Sequence, residues 1–296
     1  RFPIKGREEP ITIASRGLPG LIDAATPAEV RPAGYDLAVF AMQETQYGEP
    51  EVRELMRQIA RARIPCLAIM NMPPMPYLRR LPGLDALALQ RCFTEPSVWD
   101  AFDPDLVTLA SPDPQAFRPP QEGKNVLQVG LPTNFKAARF AGEGPTALLR
   151  RLEADIDAVR HVRYGESLEI PVKLRVHDSL FVPLAKWPML LTGNYRCIQQ
   201  DGMVPIQEAV HGDLERSRAI YGWVVDLCCR LGADPSDLVP FEKYAPAAAS
   251  LKKPSSAARA LFGGAQNIER VDALVQCIAA QMGLSHQVGE GLQRLG

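Results

Sequence analysis

Two apolar stretches separated by a helical pattern decide the fold of this chain. The first reads Asp-Leu-Ala-Val-Phe-Ala-Met at residues 36–42, and the second reads Cys-Leu-Ala-Ile-Met at residues 66–70. Both are apolar at nearly every position, which is typical of a parallel strand covered by helices on both faces. Between them, residues 52–60 carry apolar side chains at helical spacing, and Pro65 ends this pattern. The succession of strand, helix and strand predicts a βαβ unit.

Further patterns extend this unit along the first half of the chain. A helical stripe of apolar residues runs from Leu148 to Val159. Additional strands are predicted at residues 11–14, 106–110 and 126–129. The alternation of strands and helices indicates an α/β part with a doubly wound sheet.

The second half of the chain has a different pattern. After about residue 172 we detect no strand signal, and long helical patterns cover residues 206–231 and 268–282. Gly232 and Gly283 follow these helices, as glycine commonly does at a helix end. We therefore predict an α/β domain at residues 1–172 and an all-α domain at residues 173–296.

The composition gives no sign of a nucleic-acid-binding, membrane-spanning or disulfide-rich secreted protein. The 296 residues include 33 basic and 34 acidic ones, so the net charge gives no attraction to nucleic acid or to an anionic membrane. No apolar run reaches the ~20 residues of a membrane-spanning helix, and no signal peptide leads the chain. The six cysteines form no C-x-x-C pair, and we predict no metal site. The adjacent Cys228 and Cys229 are read as core residues, with redox activity as the alternative. The expected class is a cytoplasmic enzyme or binding protein.

Polar side chains follow the two deciding strands, where ligands of an open parallel sheet bind. Gln43 and Gln46 come after the first strand, and Asn71 comes directly after the second. An amide offers both donors and an acceptor, which suits a ribose hydroxyl or a carboxamide. The alternative for Asn71 is a capping residue before the prolines that follow it.

Three short motifs in the second half carry further polar residues. Residues 186–195 read Lys-Trp-Pro-Met-Leu-Leu-Thr-Gly-Asn-Tyr, residues 253–256 read Lys-Pro-Ser-Ser, and residues 269–272 read Glu-Arg-Val-Asp. Taken singly, the serines suit a helix N-cap and the glutamate suits a solvated helix position. Their order, after the two strand ends described above, is more specific than any one of them.

That order resembles ketopantoate reductase over about residues 10–283. The resemblance implies a Rossmann-type domain that binds NADPH, with NADH as the alternative. It also implies a helical domain of the 6-phosphogluconate dehydrogenase type that binds substrate and forms a homodimer. The implied reaction is reduction of a small 2-keto acid. Gln43, Gln46 and Asn71 then belong to the cofactor site, with Asn71 near the nicotinamide ribose and the substrate.

The same resemblance implies a substrate site made by the second half of the chain. Ser256 would bind the substrate carboxylate and Glu269 a hydroxyl group. Asn194 stands one residue from a family asparagine and is a candidate for that amide role. We therefore expect Asn71, Asn194, Ser256 and Glu269 to line one cleft between the two domains.

The chain departs from the family pattern at three places. One is at Gln43, where the family often carries a lysine, together with Ser256, which lies one residue further from Glu269 than the family spacing. The other two concern the glycine-rich turn and the catalytic lysine. No G-x-G-x-x-G occurs, so we expect the first βαβ unit, which would bind the pyrophosphate, to be missing ahead of Arg1. The family's catalytic lysine corresponds to Met189, and its two asparagines correspond to Gly193 and Cys197. A methionine cannot donate a proton to the substrate oxygen.

The departure at Met189 leaves two interpretations of the function. One is a reductase whose catalytic groups are Lys186, three residues earlier on a similar helical face, and Glu269. The other is a dinucleotide-binding sensor or scaffold that keeps the fold without the reaction.

Overall fold

A computed structural model describes residues 24–284, apart from residues 112–115, 118–120, 124–125, 127, 130–132 and 171. The strand predicted at residues 11–14 lies outside this part of the chain. The described strands are β1 (Ala38–Phe40), β2 (Cys66–Ile69), β3 (Val107–Ser111), β4 (Ala116–Phe117), β5 (Gln128–Val129), β6 (Thr133–Ala138), β7 (Arg160–Arg163), β8 (Glu166–Glu169), β9 (Val172–His177), β10 (Ile198–Gln199) and β11 (Gly202–Met203).

Five of these strands form the main sheet, in the order β1-β2-β3-β6-β9. The pairs β1–β2, β2–β3 and β6–β9 are parallel, whereas β3–β6 is antiparallel. The sheet is therefore mixed: β1, β2 and β3 run one way, and β6 and β9 run the other way. The remaining strands form three two-stranded antiparallel pairs.

The helices lie before, between and after these strands. The α-helices are α1 (Pro50–Ala62), α2 (Met75–Leu78), α3 (Glu143–Ala158), α4 (Trp187–Met189), α5 (Ile206–His211), α6 (Leu214–Arg230), α7 (Phe241–Ala248), α8 (Ser256–Phe262) and α9 (Val271–Gln281). Short 3-10 helices include Glu44–Gln46, Leu87–Cys92, Pro96–Trp99, Val182–Lys186 and Tyr195–Cys197, and Leu190–Asn194 has π-helical geometry.

The predicted βαβ unit is confirmed as β1, α1 and β2. Pro50 begins α1 in its first turn, where proline has the required φ and lacks an N–H that would be unpaired. Arg63 ends the helix in the left-handed conformation, with φ 53°, two residues before Pro65. This order makes β1 and β2 parallel, so both carboxyl ends lie at the same edge of the sheet.

Alternating residues of the strands pack into two different hydrophobic clusters. Cys66 and Ala68 of β2 belong to the largest cluster, which also contains Ile278 of α9. Leu67 of the same strand belongs to a second cluster with Leu149 of α3. Side chains of a strand alternate between its faces, so α3 covers one face and the C-terminal helices cover the other. The largest cluster therefore joins the α/β and all-α parts on one face of the sheet.

The absence of strands after residue 172 was wrongly predicted. β9 pairs with β6 along its whole length, and β10 pairs with β11. The charged Lys173 and Arg175 alternate with apolar residues in β9, and both form ion pairs with Asp157 of α3. Because β9 is an edge strand in which the charged Lys173 and Arg175 interrupt the apolar residues, it lacks the continuous apolar run that marks β2.

Two other predictions needed correction in their details. The predicted helix at residues 206–231 is two helices, because Asp213 accepts a hydrogen bond from the Arg216 backbone N–H at 2.9 Å and so caps a new helix. Gly232, with φ 114°, follows α6 as predicted. The strand predicted at residues 126–129 is β5, which pairs with β4 outside the main sheet.

An aromatic cluster fixes the end of β1. Phe40 packs edge-on against Tyr47, Trp99 and Phe102, with ring centroids 5.8–5.9 Å apart. The Tyr47 hydroxyl accepts a hydrogen bond from the Met42 N–H at 3.2 Å. These contacts hold the turn that follows β1 against the protein core.

Within the described residues, every helix is too short or too polar to cross a membrane.

Candidate active site

A pocket of about 530 Å³ lies beyond the carboxyl ends of β1 and β2. This is the edge at which open parallel sheets bind ligands, and the volume is in the range of small-molecule sites. The lining residues come from the two strand ends, from α8 and from the α8–α9 connection. They are Ala41, Met42, Gln43, Thr45, Gln46, Ile69, Met70, Asn71, Ala260, Ala265, Asn267 and Glu269.

The turn after β1 supplies two of the predicted cofactor residues. Gln43 precedes the 3-10 helix Glu44–Gln46 and Gln46 is its last residue, and both line the pocket. The Gln43 backbone N–H donates to Oε1 of Gln46 at 3.0 Å. The Gln43 side chain in turn accepts a hydrogen bond from the Gln46 backbone N–H. The two amides therefore have fixed positions at the pocket wall as well as a structural role.

Asn71 and Glu269 meet in the pocket, although 198 positions separate them in the sequence. Asn71 forms a side-chain hydrogen bond with the Glu269 carboxylate. The Glu44 backbone N–H donates to Oε1 of Glu269 at 3.0 Å. This contact joins the strand-end turn to the segment that precedes α9. Of the four residues expected to line one cleft, Asn71 and Glu269 line this pocket.

Burial sets the protonation of Glu269. Only 8% of the residue is exposed, and this burial raises the pKa of its carboxyl to about 7, in spite of the opposing hydrogen bonds from Glu44 and Asn71. The nearby charge of Glu44 raises the pKa further. Among the twelve lining residues, Glu269 is the titratable one. A carboxyl with such a pKa can give or take a proton near neutral pH.

Glu44 lies behind Glu269 and faces away from the pocket. Its carboxylate accepts hydrogen bonds from the Thr94 N–H at 2.9 Å and the Thr94 hydroxyl at 3.0 Å. Burial raises the pKa of Glu44, and these hydrogen bonds oppose the shift. Two buried carboxyls thus adjoin, and Glu269 is the one that reaches the pocket.

Tyr195 anchors the backbone on both sides of Arg270. Its buried hydroxyl donates to the carbonyl oxygen of Glu269 at 2.6 Å and accepts from the Val271 N–H at 3.0 Å. The same residue is part of the helical segment at residues 182–197. Tyr195 therefore fixes where the Glu269 side chain starts and is a positioning residue.

Tyr195→Phe is expected to lower the free energy of unfolding by about 1–3 kcal/mol, because it leaves a buried carbonyl and a buried N–H without their partner. Urea denaturation measures this change directly. The matched control is Tyr35→Phe, whose ring is 58% exposed and which should change stability by less than about 0.5 kcal/mol. Equal effects of the two substitutions would contradict the anchoring role.

Asn194 and Ser256 lie outside the residues that line the pocket. Ser256 is the exposed first residue of α8. The preceding Ser255 is buried; its hydroxyl accepts from the Ala258 N–H at 3.1 Å and donates to the Asn194 carbonyl at 2.7 Å. The serine pair thus caps a helix and joins it to the segment at residues 182–197.

Lys186 is half-buried and ends the 3-10 helix Val182–Lys186. The chain continues into α4 without leaving the helical region, so Lys186 and Met189 are one turn apart on a continuous helical segment. Lys186 does not line the pocket. Its reach toward the site stays a prediction.

The positions that correspond to the family's lysine and two asparagines face the core. Met189 packs against a hydrophobic cluster that contains Phe241 and Tyr244. A side chain at Gly193 would meet the Tyr244 hydroxyl at 2.3 Å, so this position has no room for an asparagine. Cys197 is fully buried. This face of the helical segment is therefore filled by packing and offers no polar group to a ligand.

Several residues of the site were not predicted from the sequence. Glu44 and Thr94 are 50 positions apart, and nothing local indicates that they pair. Tyr195 belongs to the motif at residues 186–195, but its two hydrogen bonds join residues 74 and 76 positions apart, which no local pattern indicates. Asn267 lies two residues before Glu269, and this proximity to a predicted site residue is the sequence feature that indicates it.

The fold is that of ketopantoate reductases. The chain matches the probable 2-dehydropantoate 2-reductase of Bacillus subtilis with a TM-score of 0.53 and 13% identity, covering 88% of this chain and 75% of that one. It matches a ketopantoate reductase from Ralstonia eutropha JMP134 with a TM-score of 0.53 and 15% identity, covering 86% and 72%. For the 2-dehydropantoate 2-reductase of Methylococcus capsulatus the TM-score is 0.55 and the identity 12%, covering 88% and 72%.

No protein-family model matches the sequence, and no curated protein is similar to it. The structural comparison therefore identifies the fold alone. What the site does has to be inferred from its own residues.

Proposed function

We propose that this protein is an NAD(P)H-dependent reductase of a small 2-keto acid. The observation that carries the proposal is the meeting of Asn71 and Glu269 in a pocket at the carboxyl ends of two parallel strands. The ketopantoate-reductase fold of the three structural relatives supports the same reading. Both residues were expected in the site from the order of motifs in the sequence.

The pocket residues fit the nicotinamide riboside end of a dinucleotide. Gln43, Gln46 and Asn71 line the pocket with amides, which pair with ribose hydroxyls and with the nicotinamide carboxamide. Thr45 adds a hydroxyl beside them. NAD(P)H, when bound, supplies the hydride. The chain's own residues orient the carbonyl compound, exclude water and hold the proton.

We assign to Glu269 the role of proton donor to the carbonyl oxygen. The carbonyl oxygen gains negative charge during reduction and needs a donor within hydrogen-bond reach. The Glu269 carboxyl is buried in the pocket wall, with a pKa raised by that burial to about 7, so its neutral form is present at physiological pH. Asn71 bonds to the same carboxylate and keeps it oriented toward the pocket.

Amide groups would hold the acid group of the substrate. The lining contains no lysine, arginine or histidine, whereas Asn71 and Asn267 both offer N–H donors. A substrate carboxylate in the pocket would also favour the protonated form of Glu269, since two like charges there repel each other. Substrate binding and protonation of Glu269 therefore support each other.

The proposal is tested with a panel of small 2-keto acids, their amides and ketopantoate itself, each with NADPH and with NADH. Reduction of a 2-keto acid, measured as loss of reduced-cofactor absorbance, is the expected result. Ketopantoate should turn over well below the ~10 s⁻¹ that is typical of enzymes, because Met189 stands where the family has its lysine. Cofactor binding without reduction of any carbonyl compound would favour the sensor or scaffold instead.

Lys186→Met is expected to change kcat by less than about threefold, which is a change in barrier of well under 1 kcal/mol. The reason is that Lys186 does not line the pocket, whereas Glu269 does. Steady-state kinetics with the best keto acid would check this. A fall in kcat of about a hundredfold with an unchanged KM would instead make Lys186 the acid.

A further inference from the structure

Two cysteines that are far apart in the sequence lie close together between the 3-10 helix Leu87–Cys92 and α9. The Sγ atoms of Cys92 and Cys277 are 3.3 Å apart, although 185 positions separate the residues. Cys92 ends the 3-10 helix Leu87–Cys92, and Cys277 lies in the second turn of α9. A disulfide has an S–S distance of 2.03–2.05 Å, so bridging needs the sulfurs to approach by about 1.2 Å.

A second contact keeps the two helices in register. Gln281, one turn after Cys277 in α9, accepts a hydrogen bond from the Asp85 N–H at 3.0 Å and donates to the Asp85 carbonyl at 3.0 Å. Leu89 and Ile278 are fully buried in the core beneath this contact. The thiols therefore face each other across a packed interface of fixed geometry.

The surroundings of the two sulfurs differ. Cys277 is half-buried, and the guanidinium Nε–H of Arg91 donates to its sulfur at 3.4 Å. A guanidinium beside a sulfur is complementary to a thiolate, which is the form that reacts with oxidants. Cys92 is buried, and this burial together with its hydrogen bond to Cys277 raises the pKa of its thiol to about 12. The accessible sulfur is thus the one that can be attacked first.

We propose that Cys92 and Cys277 form an oxidation site at which hydrogen peroxide produces an intramolecular disulfide. The Cys277 thiolate attacks one peroxide oxygen; the O–O bond breaks, hydroxide leaves and takes up a proton as water, and Cys277 becomes a sulfenic acid. The Cys92 thiol then displaces the sulfenic hydroxyl as a second water. With hydrogen peroxide, two thiols lose two hydrogens and two electrons, and the peroxide is reduced to two waters.

The bridge would close a ring of contacts that includes the candidate active site. Thr94 lies two positions after Cys92, and its N–H and hydroxyl donate hydrogen bonds to the Glu44 carboxylate. The Glu44 N–H holds Glu269, and Glu269 precedes α9, which carries Cys277. Oxidation therefore ties together the two segments whose contact keeps Glu269 in the pocket. The inference concerns a modification of the protein and does not depend on its catalytic activity.

The test uses the whole folded protein, treated with hydrogen peroxide and then with N-ethylmaleimide, and digested for peptide mass mapping. The expected product is a Cys92–Cys277 linked peptide that lacks two hydrogens and is reversed by dithiothreitol. The same treatment of the urea-unfolded chain should give this pair no preference among the six cysteines. The bridge should also raise the melting temperature of the folded protein by at least about 4 °C.

Matched variants separate this site from the other thiols. Cys277→Ser should abolish the linked peptide, and Cys229→Ser, which alters another half-buried cysteine, should leave it unchanged. Arg91→Met should slow its formation by on the order of tenfold. The proposal is overturned if folded native protein yields only over-oxidised Cys277, or a Cys228–Cys229 bridge, with no Cys92–Cys277 linkage.

Discussion

Glu269→Gln is expected to lower kcat for reduction of the best 2-keto acid by about 10²–10⁴-fold, the usual contribution of a positioned general acid. Glutamine has nearly the same shape and still accepts the hydrogen bond that the Glu44 N–H donates at 3.0 Å. It cannot deliver a proton to an alkoxide. The substitution therefore removes the acid and leaves the packing of the pocket in place.

The pH dependence distinguishes loss of an acid from loss of structure. Burial raises the pKa of Glu269 to about 7, so the wild-type rate should fall as the pH rises above that value and the carboxyl loses its proton. The variant should lack this decline. Glu242→Gln is the control, since Glu242 is exposed and pairs with Arg218 away from the pocket. A Glu269→Gln variant with full activity and the wild-type profile would remove Glu269 from the mechanism.

The stability of the protein is expected to depend on the protonation of the same residue. The carboxyl pKa of Glu269 is about 7 in the folded protein and close to the ordinary value of 4.5 in the unfolded chain. Between pH 4.5 and pH 7, Glu269 therefore takes up a proton when the chain folds. The stabilisation of the protonated form is complete below about pH 4.5 and is lost as the pH rises through 7. A difference of this size corresponds to about 3 kcal/mol.

Urea denaturation of wild type and Glu269→Gln between pH 5 and pH 8.5 measures this contribution to the free energy of unfolding. Relative to wild type, the variant should gain about 2.5 kcal/mol in the free energy of unfolding across that range, because it has no proton to lose and part of the wild-type change lies below pH 5. Glu54→Gln provides a control without this pH dependence. Hydrogen bonding from Gln58 and the charge of Arg57 hold the pKa of the exposed Glu54 below its usual value. Its carboxyl is therefore ionised in both the folded and the unfolded chain above pH 5, and this variant should follow the pH dependence of wild type across the measured range. A pH-independent difference for Glu269→Gln would contradict its raised pKa.

The sequence allowed the α/β part of the fold to be predicted well where strands are apolar on both faces. Residues of β2 are buried along nearly the whole strand, and the run at residues 66–70 reflects this directly. β9 was missed because its outer side chains are charged and its place in the sheet depends on pairing with β6, 39 positions earlier at their first residues. The break between α5 and α6 was missed because the apolar pattern continues across it, although the capping residue Asp213 was present in the sequence.

The candidate site was predictable at the strand ends and much less so elsewhere. Asn71 follows from the general rule that ligands bind at the carboxyl ends of parallel strands, and the order of motifs indicated Glu269. The burial that gives Glu269 its raised pKa depends on Glu44 and Tyr195, which approach it only in three dimensions. The prediction of Lys186 as a catalytic group depends on helical spacing alone, and spacing does not reveal which side of a helix faces a pocket.

The most direct test of the proposed reductase activity is transfer of an isotopic label. NADPH carrying deuterium at the transferred position of C4 is incubated with the protein and the best 2-keto acid, and the product is analysed by mass spectrometry and NMR. The expected result is a 2-hydroxy acid with one deuterium at C2, formed much more slowly by Asn71→Ala, which removes an amide from the pocket wall. Saturable binding of NADPH with no deuterium in any product would contradict the reductase and leave a dinucleotide-binding protein.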